Sequence, residues 1–277
     1  MAKSPSKKSS RRNREAAFEE STGTQRFPVR QKSAKLRAEE SWNRNNAKPL
    51  VCRSDAQRNY LELINSNQIV IGVGPAGTGK TFVPVKFAAQ QLDASRIKRI
   101  IVVRPIIEAG GGLGFLPGDE ADKTAPYKVP FLEVLEEHYG KAALEAKLNG
   151  AYPSIVFVPP EYIRGRTFND AFVILDEAQN MTCDQMKTFL TRLGEDTQCV
   201  IQGDIDQVDI KEPSGLVEAM EVLGGLDSVG IMEFAEEDIV RSGICKAILL
   251  RYRRHRAAKE ALEAEQGKPA VKGKGKR

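Results

Sequence analysis

The sequence predicts a doubly wound α/β fold, in which helices cover both faces of a parallel sheet. Three observations support this prediction. Short apolar runs alternate with helical patterns, each run is apolar at consecutive positions, as in strands buried on both faces, and a glycine-rich turn joins the first run to a helical stretch. With 277 residues, 41% of them hydrophobic, the chain is long enough to bury a large core.

Six runs are predicted as strands because they are short, apolar and rich in β-branched residues. They are QIVIGV (68–73), RIIVV (99–103), SIVFV (154–158), AFVILD (171–176), QCVIQG (198–203) and SVGIMEF (228–234). Strands that alternate with helices are expected to form one parallel sheet.

Two helical patterns lie between these runs. One begins at Gly79 and continues through KFAAQQL, and the other is TCDQMKTFLTRL, in which Thr182 and Gln185 are placed to form a capping box. Residues 105–130 interrupt the alternation with many Gly and Pro residues. They are predicted as a long loop, which is either functional or a plain surface excursion.

The turn after the first strand, GVGPAGTGKT (72–81), satisfies two nucleotide-binding patterns. Residues 72–77 read G-x-G-x-x-G, as in dinucleotide sites, and residues 74–81 read G-x-x-x-x-G-K-T, as in phosphate loops. A dinucleotide site expects an acidic residue at the end of the second strand, where this chain has Arg104, which argues against NAD and leaves NADP open. The strand before the loop and the helix after it favour a triphosphate site.

The phosphate loop is predicted to hold the nucleotide through its backbone and two side chains. Its glycines allow successive N–H groups to point at one anion, and the following helix adds its positive end. Lys80 is predicted to neutralise the β- and γ-phosphates and act in catalysis, and Thr81 to ligate Mg²⁺. The predicted nucleotide-binding residues in this loop are Gly74, Pro75, Ala76, Gly77, Thr78, Gly79, Lys80 and Thr81.

Two later motifs supply the remaining candidate catalytic residues. The strand AFVILDEAQ ends in Asp176, predicted as a Mg²⁺ ligand, and Glu177, predicted as the general base that activates water. QGDIDQ (202–207) follows the next strand, and its Asp204 and Gln207 could sense the γ-phosphate, or the segment could be a simple Gly-Asp turn. Gln207 is included among the candidate catalytic residues.

Charge divides the chain into three regions. Residues 1–48 carry 13 Lys/Arg against 5 Asp/Glu, residues 251–277 carry 10 against 3, and residues 49–250 carry 19 against 29. The ends are predicted as basic tails, the first disordered and the second helical or flexible, which either solubilise the protein or contact nucleic acid. No apolar run is long enough for a membrane span, no signal peptide is recognisable, and the four cysteines lack metal-site spacing, so a cytoplasmic location is expected.

These motifs together resemble the PhoH-like protein family, P-loop ATPases related to the first motor domain of superfamily 1 helicases. The resemblance is carried by GVGPAGTGKT, VVRPIIEAGGGLGFLPGD, YIRGRTFNDAFVILDEAQNMT, QMKTFLTRLG, QGDIDQVDI and the SGL that follows. It covers residues 49 to about 250 and leaves out both tails.

The resemblance implies a RecA-like single motor domain that binds ATP and Mg²⁺. It implies that Gln57 reads adenine, that Arg104-Pro105 touches single-stranded nucleic acid, and that Gln207 couples the γ-phosphate to that contact. Family members are described as ATP-binding proteins with proposed RNA-helicase-like activity, and some form hexameric rings. A homo-oligomer that binds single-stranded nucleic acid, RNA in preference to DNA, is therefore expected.

The chain departs from a full helicase because too few residues follow position 250 for a second motor domain. The arginine that a second domain would supply must come from this chain or from a neighbouring subunit, and completion by a neighbour is the hypothesis. The candidates are Arg164, Arg166, Arg192 and Arg241. No ribonuclease domain of the kind fused to some relatives is expected in the short basic N-terminal region.

Three classes of function remain open from the sequence. The leading one is an Mg²⁺-dependent ATPase that translocates or remodels single-stranded RNA or DNA. The second is an ATP-driven switch or scaffold that binds a protein partner without strand movement. The third, a phosphotransferase, is disfavoured because a water-activating Glu177 would waste ATP.

Overall fold

The computed structural model describes residues 49–106 and 120–241, with side chains from residue 125 in the second range, and scattered residues between 243 and 259. These all belong to one compact unit, Ala38–Arg277. The predicted tail at 1–48 and residues 260–277 of the predicted tail at 251–277 lie outside the described residues, and the domain boundaries at 48 and 250 stay predictions.

A six-stranded parallel sheet with helices around it confirms the predicted fold class. All six predicted runs are strands, and their order across the sheet is β3-β2-β4-β5-β1-β6. The strands are β1 (Ile69–Val73), β2 (Arg99–Val103), β3 (Ile155–Val158), β4 (Ala171–Leu175), β5 (Gln198–Gly203) and β6 (Val229–Glu233). The phosphate-loop strand β1 is thus separated from the carboxylate strand β4 by β5.

Six α-helices accompany the sheet within the described ranges 49–106 and 120–241. They are α1 (Asp55–Ser66), α2 (Phe82–Asp93), α3 (Glu120–Tyr139), α4 (Lys141–Asn149), α5 (Cys183–Leu190) and α6 (Gly215–Leu223). The predicted helices correspond to α2 and α5, and the capping box between Thr182 and Gln185 is formed at the start of α5.

Alternation along each strand divides the core between the two faces of the sheet. One face packs against α1–α4 and buries residues such as Tyr60, Val102 and Ile174. The other face packs against α5 and α6 and buries residues such as Ile71 and Leu175. Both faces are therefore apolar, which explains why the strands are apolar at consecutive positions.

The predicted loop at 105–130 is partly wrong, because α3 begins at Glu120 and contains Pro126 and Pro130. Helix packing explains the difference. Phe131, Leu135 and Tyr139 recur at helical spacing and are buried in the core, whereas both prolines are exposed. Tertiary burial of this stripe outweighs the local preference of proline against a helix interior. Residues 107–119 of the predicted loop lie outside the described residues.

None of the helices among the described residues is long and apolar enough to cross a membrane.

Candidate active site

The phosphate loop leaves the tip of β1 and leads into α2, as the sequence predicts. Gly74, Gly77 and Gly79 have φ angles of 137°, 87° and 98°. These values lie in the region that L side chains rarely adopt, so glycine is required here. Both strands that flank β1 hold the start of the loop. The N–H of Gly74 donates to the carbonyl of Gly203, at the end of β5, at 3.1 Å, and the N–H of Phe234, just after β6, donates to the carbonyl of Val73 at 2.8 Å.

Lys80 folds back over its own loop. Its ammonium donates to the backbone carbonyl of Pro75 at 2.6 Å and to that of Gly74. Thr78 closes the turn, since its hydroxyl donates to the same Pro75 carbonyl at 3.1 Å, while Ala76 is exposed at the loop tip. The predicted phosphate-binding cation therefore lies on the loop that would surround the phosphates.

Gln57 is buried against this loop, although the resemblance assigns it to adenine. Its Nε2 donates to the carbonyl of Thr78 at 2.9 Å, and its Oε1 accepts from the N–H of Arg53 at 2.8 Å. If residue 79 were not glycine, its Cβ would lie 2.4 Å from this Nε2, which is too close for a side chain at that position. Gln57 thus braces the phosphate loop, and its contact with adenine stays a prediction.

Asp176 lies just beyond the tip of β4, with both carboxylate oxygens engaged. Its Oδ1 accepts from Gln202 Nε2 at 2.7 Å, and its Oδ2 is 3.1 Å from Arg104 Nη1. Burial raises the pKa of Asp176 and the adjacent Glu177 carboxylate adds to the effect, whereas Arg104 and the hydrogen bond from Gln202 oppose it. The protein therefore surrounds a costly buried charge with two donors.

Glu177 has a left-handed backbone, with φ 51° and ψ 38°. This conformation is uncommon for a residue other than glycine and often marks a functional site. Its Oε2 accepts from Gln179 Nε2 at 2.7 Å, and its Oε1 accepts from Arg104 Nη2 at 3.3 Å. The side chain is still 39% exposed, so the carboxylate is fixed in direction while remaining open to solvent.

A buried glutamine joins Glu177 to the QGDIDQ segment. Gln179 Nε2 also donates to the carbonyl of Gln207 at 3.2 Å, and its Oε1 accepts from the N–H of Asp204 at 3.1 Å. Gln207 itself is exposed, and its side chain donates to Asp204 Oδ2 at 2.5 Å. Gln179 thus links the side chain of Glu177, the predicted base, to the backbone of Gln207, the predicted sensor.

Thr81 and Asp176, the two predicted metal ligands, lie close together, because both accept a hydrogen bond from the same nitrogen, Gln202 Nε2. Gln202 Nε2 donates to Thr81 Oγ1 at 3.0 Å and to Asp176 Oδ1 at 2.7 Å. A hydroxyl and a carboxylate form the hard oxygen set that suits Mg²⁺, which takes its remaining ligands from phosphates and water. Among the described residues there is no group of three or more His, Cys, Asp or Glu side chains that could hold a metal. The residues present fit a nucleotide-linked Mg²⁺.

Arg241 is the arginine candidate that contacts the phosphate loop. A Cβ at Gly77 would lie 2.7 Å from Arg241 Nε, and the N–H of Val240 donates to the Gly77 carbonyl at 2.9 Å. Arg166 instead lines a cavity with Arg99 and Phe168, and Arg192 Nη2 donates to Thr191 at 3.3 Å. Arg164 is exposed. A cation beside the loop is therefore present within the same chain.

Arg104 also borders a cavity of about 70 Å³ at the carboxyl ends of β2 and β3. Its guanidinium carbon is 5.9 Å from the centre of the Tyr127 ring, and Lys128 Nζ is 5.8 Å from that of Phe157. The cavity combines cations with aromatic rings, and Arg104 connects it to both carboxylates.

Sequence reasoning missed Gln179 and Gln202. Both are buried, with exposures of 1% and 0%. Gln202 lies near the end of β5 and Gln179 in the short 3-10 turn after β4, both places where polar residues are ordinary, so a signal emerges only once the strand order is known. Gln202 is paired with Gly72 across β1 and β5, and it follows Ile201, which pairs with Leu175 on β4. That register places Gln202 between the phosphate loop and Asp176.

Comparison with known proteins identifies one family. The family model described as PhoH-like protein matches residues 49–253. Protein PhoH of Escherichia coli (strain K12) is 44% identical over 206 residues, which are 74% of this chain and 58% of that protein. PhoH-like protein of Bacillus subtilis (strain 168) is 42% identical over 207 residues, 74% of this chain and 64% of that protein. PhoH-like protein of Mycobacterium tuberculosis (strain ATCC 25618 / H37Rv) is 41% identical over 201 residues, which are 72% of this chain and 56% of that protein. The match thus spans less than two thirds of the length of each of these relatives.

Proposed function

This chain belongs to the PhoH-like protein family, and we propose that it hydrolyses ATP with Mg²⁺ and couples the reaction to single-stranded nucleic acid, RNA in preference to DNA. Its P-loop fold is that of a nucleotide-binding protein. The observation that carries the proposal is the convergence of Thr81 and Asp176 on one point beside Glu177.

Each residue of the site has a separate task in this proposal. The loop amides and Lys80 would bind the β- and γ-phosphates, and Thr81 and Asp176 would hold Mg²⁺, whose charge would offset that of the phosphates. Glu177 accepts a proton from the attacking water, since its carboxylate is fixed by Gln179 and remains exposed. Arg241 supplies a further positive charge beside the loop.

Arg104 supports the link to nucleic acid. It contacts Asp176 and Glu177 on one side and borders the cavity with Tyr127 and Phe157 on the other. Aromatic rings stack on unpaired bases, and Arg and Lys side chains attract phosphates. A strand bound at this cavity would compete for Arg104 and release the carboxylates for the metal and water. The basic ends of the chain would add salt-dependent affinity.

The role of Glu177 is tested by Glu177→Gln. This variant is expected to keep ATP binding and to lower turnover by about 10²–10⁴-fold, the usual contribution of a general base. Nucleotide binding and phosphate release are measured on the same preparation. Lys80→Ala is the matched control, because it should weaken binding itself. Undiminished turnover in Glu177→Gln would remove Glu177 as the base.

The polymer requirement is tested by ATP turnover with single-stranded RNA, single-stranded DNA and no polymer. Stimulation by RNA is expected, and it should decrease steeply with salt and be weakened by Tyr127→Ala. Turnover that ignores every polymer would favour the alternative function, an ATP-dependent switch or scaffold that binds a protein partner. A homo-oligomer, with a hexameric ring as the first form to test, is also proposed, and a mass measurement in solution decides it.

A further inference from the structure

Gln202 is buried between the two proposed metal ligands without being one of them. Its one amide nitrogen donates to both Thr81 Oγ1 and Asp176 Oδ1, and the residue is 0% exposed. The neighbouring strands fix its place, since its partner on β1 is Gly72 and the residue before it pairs with β4. The side chain therefore reaches the interval between the phosphate loop and the carboxylate.

The other end of this amide has no partner in the described part of the chain. Gln202 Oε1 is buried and accepts no hydrogen bond from any described residue. A buried carbonyl oxygen without a donor is costly, and proteins usually satisfy such groups with water or a ligand. An oxygen acceptor beside a hydroxyl and a carboxylate matches the needs of a hydrated divalent cation, whose bound waters donate hydrogen bonds.

We infer that Gln202 is a positioning residue for the Mg²⁺ ion that accompanies the nucleotide. Its amide nitrogen holds Thr81 and Asp176 on one point, and its Oε1 is the acceptor for a water of the ion's hydration shell. Residues that orient metal ligands in this way commonly change metal affinity by about 10–100-fold when they are removed. The inference rests on the proposed function, because it requires an Mg²⁺–nucleotide site.

The test is an Mg²⁺ titration of the binding of a fluorescent ATP analogue, N-methylanthraniloyl-ATP, to the full chain. Gln202→Met keeps the length of the side chain and removes both amide groups. It is expected to raise the Mg²⁺ concentration at half-maximal binding by about 10-fold or more. Binding of the analogue in EDTA should change much less than the Mg²⁺ midpoint, because the loop amides and Lys80 are untouched and only the Thr81 hydroxyl loses a donor.

Gln202→Glu separates the two roles of the amide. A carboxylate accepts from metal-bound water but cannot donate to Thr81 or Asp176. The Mg²⁺ midpoint should therefore rise by less than in Gln202→Met, while the metal-free chain unfolds at a lower temperature because two carboxylates meet in a buried site. A rise as large as that in Gln202→Met would contradict the role of Oε1 as the acceptor. If Gln202→Met does not fold, Gln202→Leu replaces it, since it also removes both amide groups.

Gln198→Met is the matched control on the same strand. Gln198 begins β5, four residues before Gln202, and its Nε2 donates to the carbonyls of Asn67, at 2.9 Å, and Ile64. It should lower the unfolding temperature and leave the Mg²⁺ midpoint unchanged. An unchanged midpoint in Gln202→Met as well would overturn the inference alone. Absence of Mg²⁺-dependent binding in the unmodified protein would overturn the proposed function, and the inference with it.

Discussion

Tyr60 carries a buried hydroxyl at the back of the site. Its ring is fully buried and packs edge-on against Phe234 at 5.2 Å, and the hydroxyl has no hydrogen-bond partner among the described residues. Gly72 makes this packing possible, because a Cβ there would lie 2.7 Å from the hydroxyl oxygen. A bulkier residue at position 72 would displace the aromatic ring and α1 with it.

Tyr60→Phe is expected to stabilise the nucleotide-free protein. Removing an unpaired buried hydroxyl should raise the free energy of unfolding by about 1 kcal/mol, measured by urea denaturation. Tyr139→Phe is the control with the opposite sign, because the Tyr139 hydroxyl donates to the Ala89 carbonyl at 3.0 Å. A loss of stability in Tyr60→Phe would mean that the hydroxyl has a partner, such as a bound water.

Glu177 shows how the backbone contributes to the site at the scale of one residue. Its left-handed conformation turns the chain sharply after β4, so that Asp176 faces the interior and Glu177 faces outward. The sequence identifies the two carboxylates from their place after an apolar strand. It does not reveal this conformation, because many residues at strand ends adopt ordinary turns.

Helix α3 is the element for which the prolines in the sequence wrongly predict a loop. Pro126 and Pro130 are four residues apart and both are exposed, so they share the outer side of the helix. The buried stripe of Phe131, Leu135 and Tyr139 lies on the side that packs against the core. The cost of the prolines is local, whereas the gain from burying three large side chains belongs to the whole fold.

Pro126→Ala tests this helix directly. In a helix interior, alanine is better than proline by about 3 kcal/mol, so the variant should stabilise the protein by about 1–3 kcal/mol. Thermal unfolding and urea denaturation measure the effect. Pro153→Ala is the control, because Pro153 lies in an exposed connection, where the substitution should lower stability slightly. Equal small losses in both variants would support the loop that the sequence predicts.

At the scale of the molecule, Arg241 bears on whether one chain suffices for hydrolysis. The sequence leaves the source of the completing arginine open and favours a neighbouring subunit. The contact between Arg241 and the phosphate loop supports completion within the chain. Arg241→Ala should therefore lower turnover in proportion to the variant chains present.

Mixing experiments distinguish the two cases. Arg241→Ala chains are mixed with Lys80→Ala chains, each of which is expected to be impaired alone. Completion within the chain predicts no recovery of turnover in the mixture, because neither chain has both residues. Recovery of turnover that rises with total protein concentration would instead show that one subunit supplies its arginine to the site of another.

Much of the fold can be predicted from the sequence because buried parallel strands are apolar on both faces and glycine-rich turns are local. All six strands and the phosphate loop follow from these signals. The strand order does not, because it depends on how distant segments pair. Gln179 and Gln202 acquire meaning only through that order, since each connects motifs that lie far apart in sequence.

Under the proposed function, Arg104 would couple two binding events by thermodynamic reciprocity. An anion that draws its guanidinium toward the cavity leaves Asp176 and Glu177 with less compensating charge, and a cation then gains attraction to them. A cation that settles on those carboxylates equally sets the guanidinium free for the anion. Linkage requires that each ligand change the affinity of the other by the same factor. Titrating either ligand at several fixed concentrations of its counterpart would therefore yield one and the same cooperativity constant.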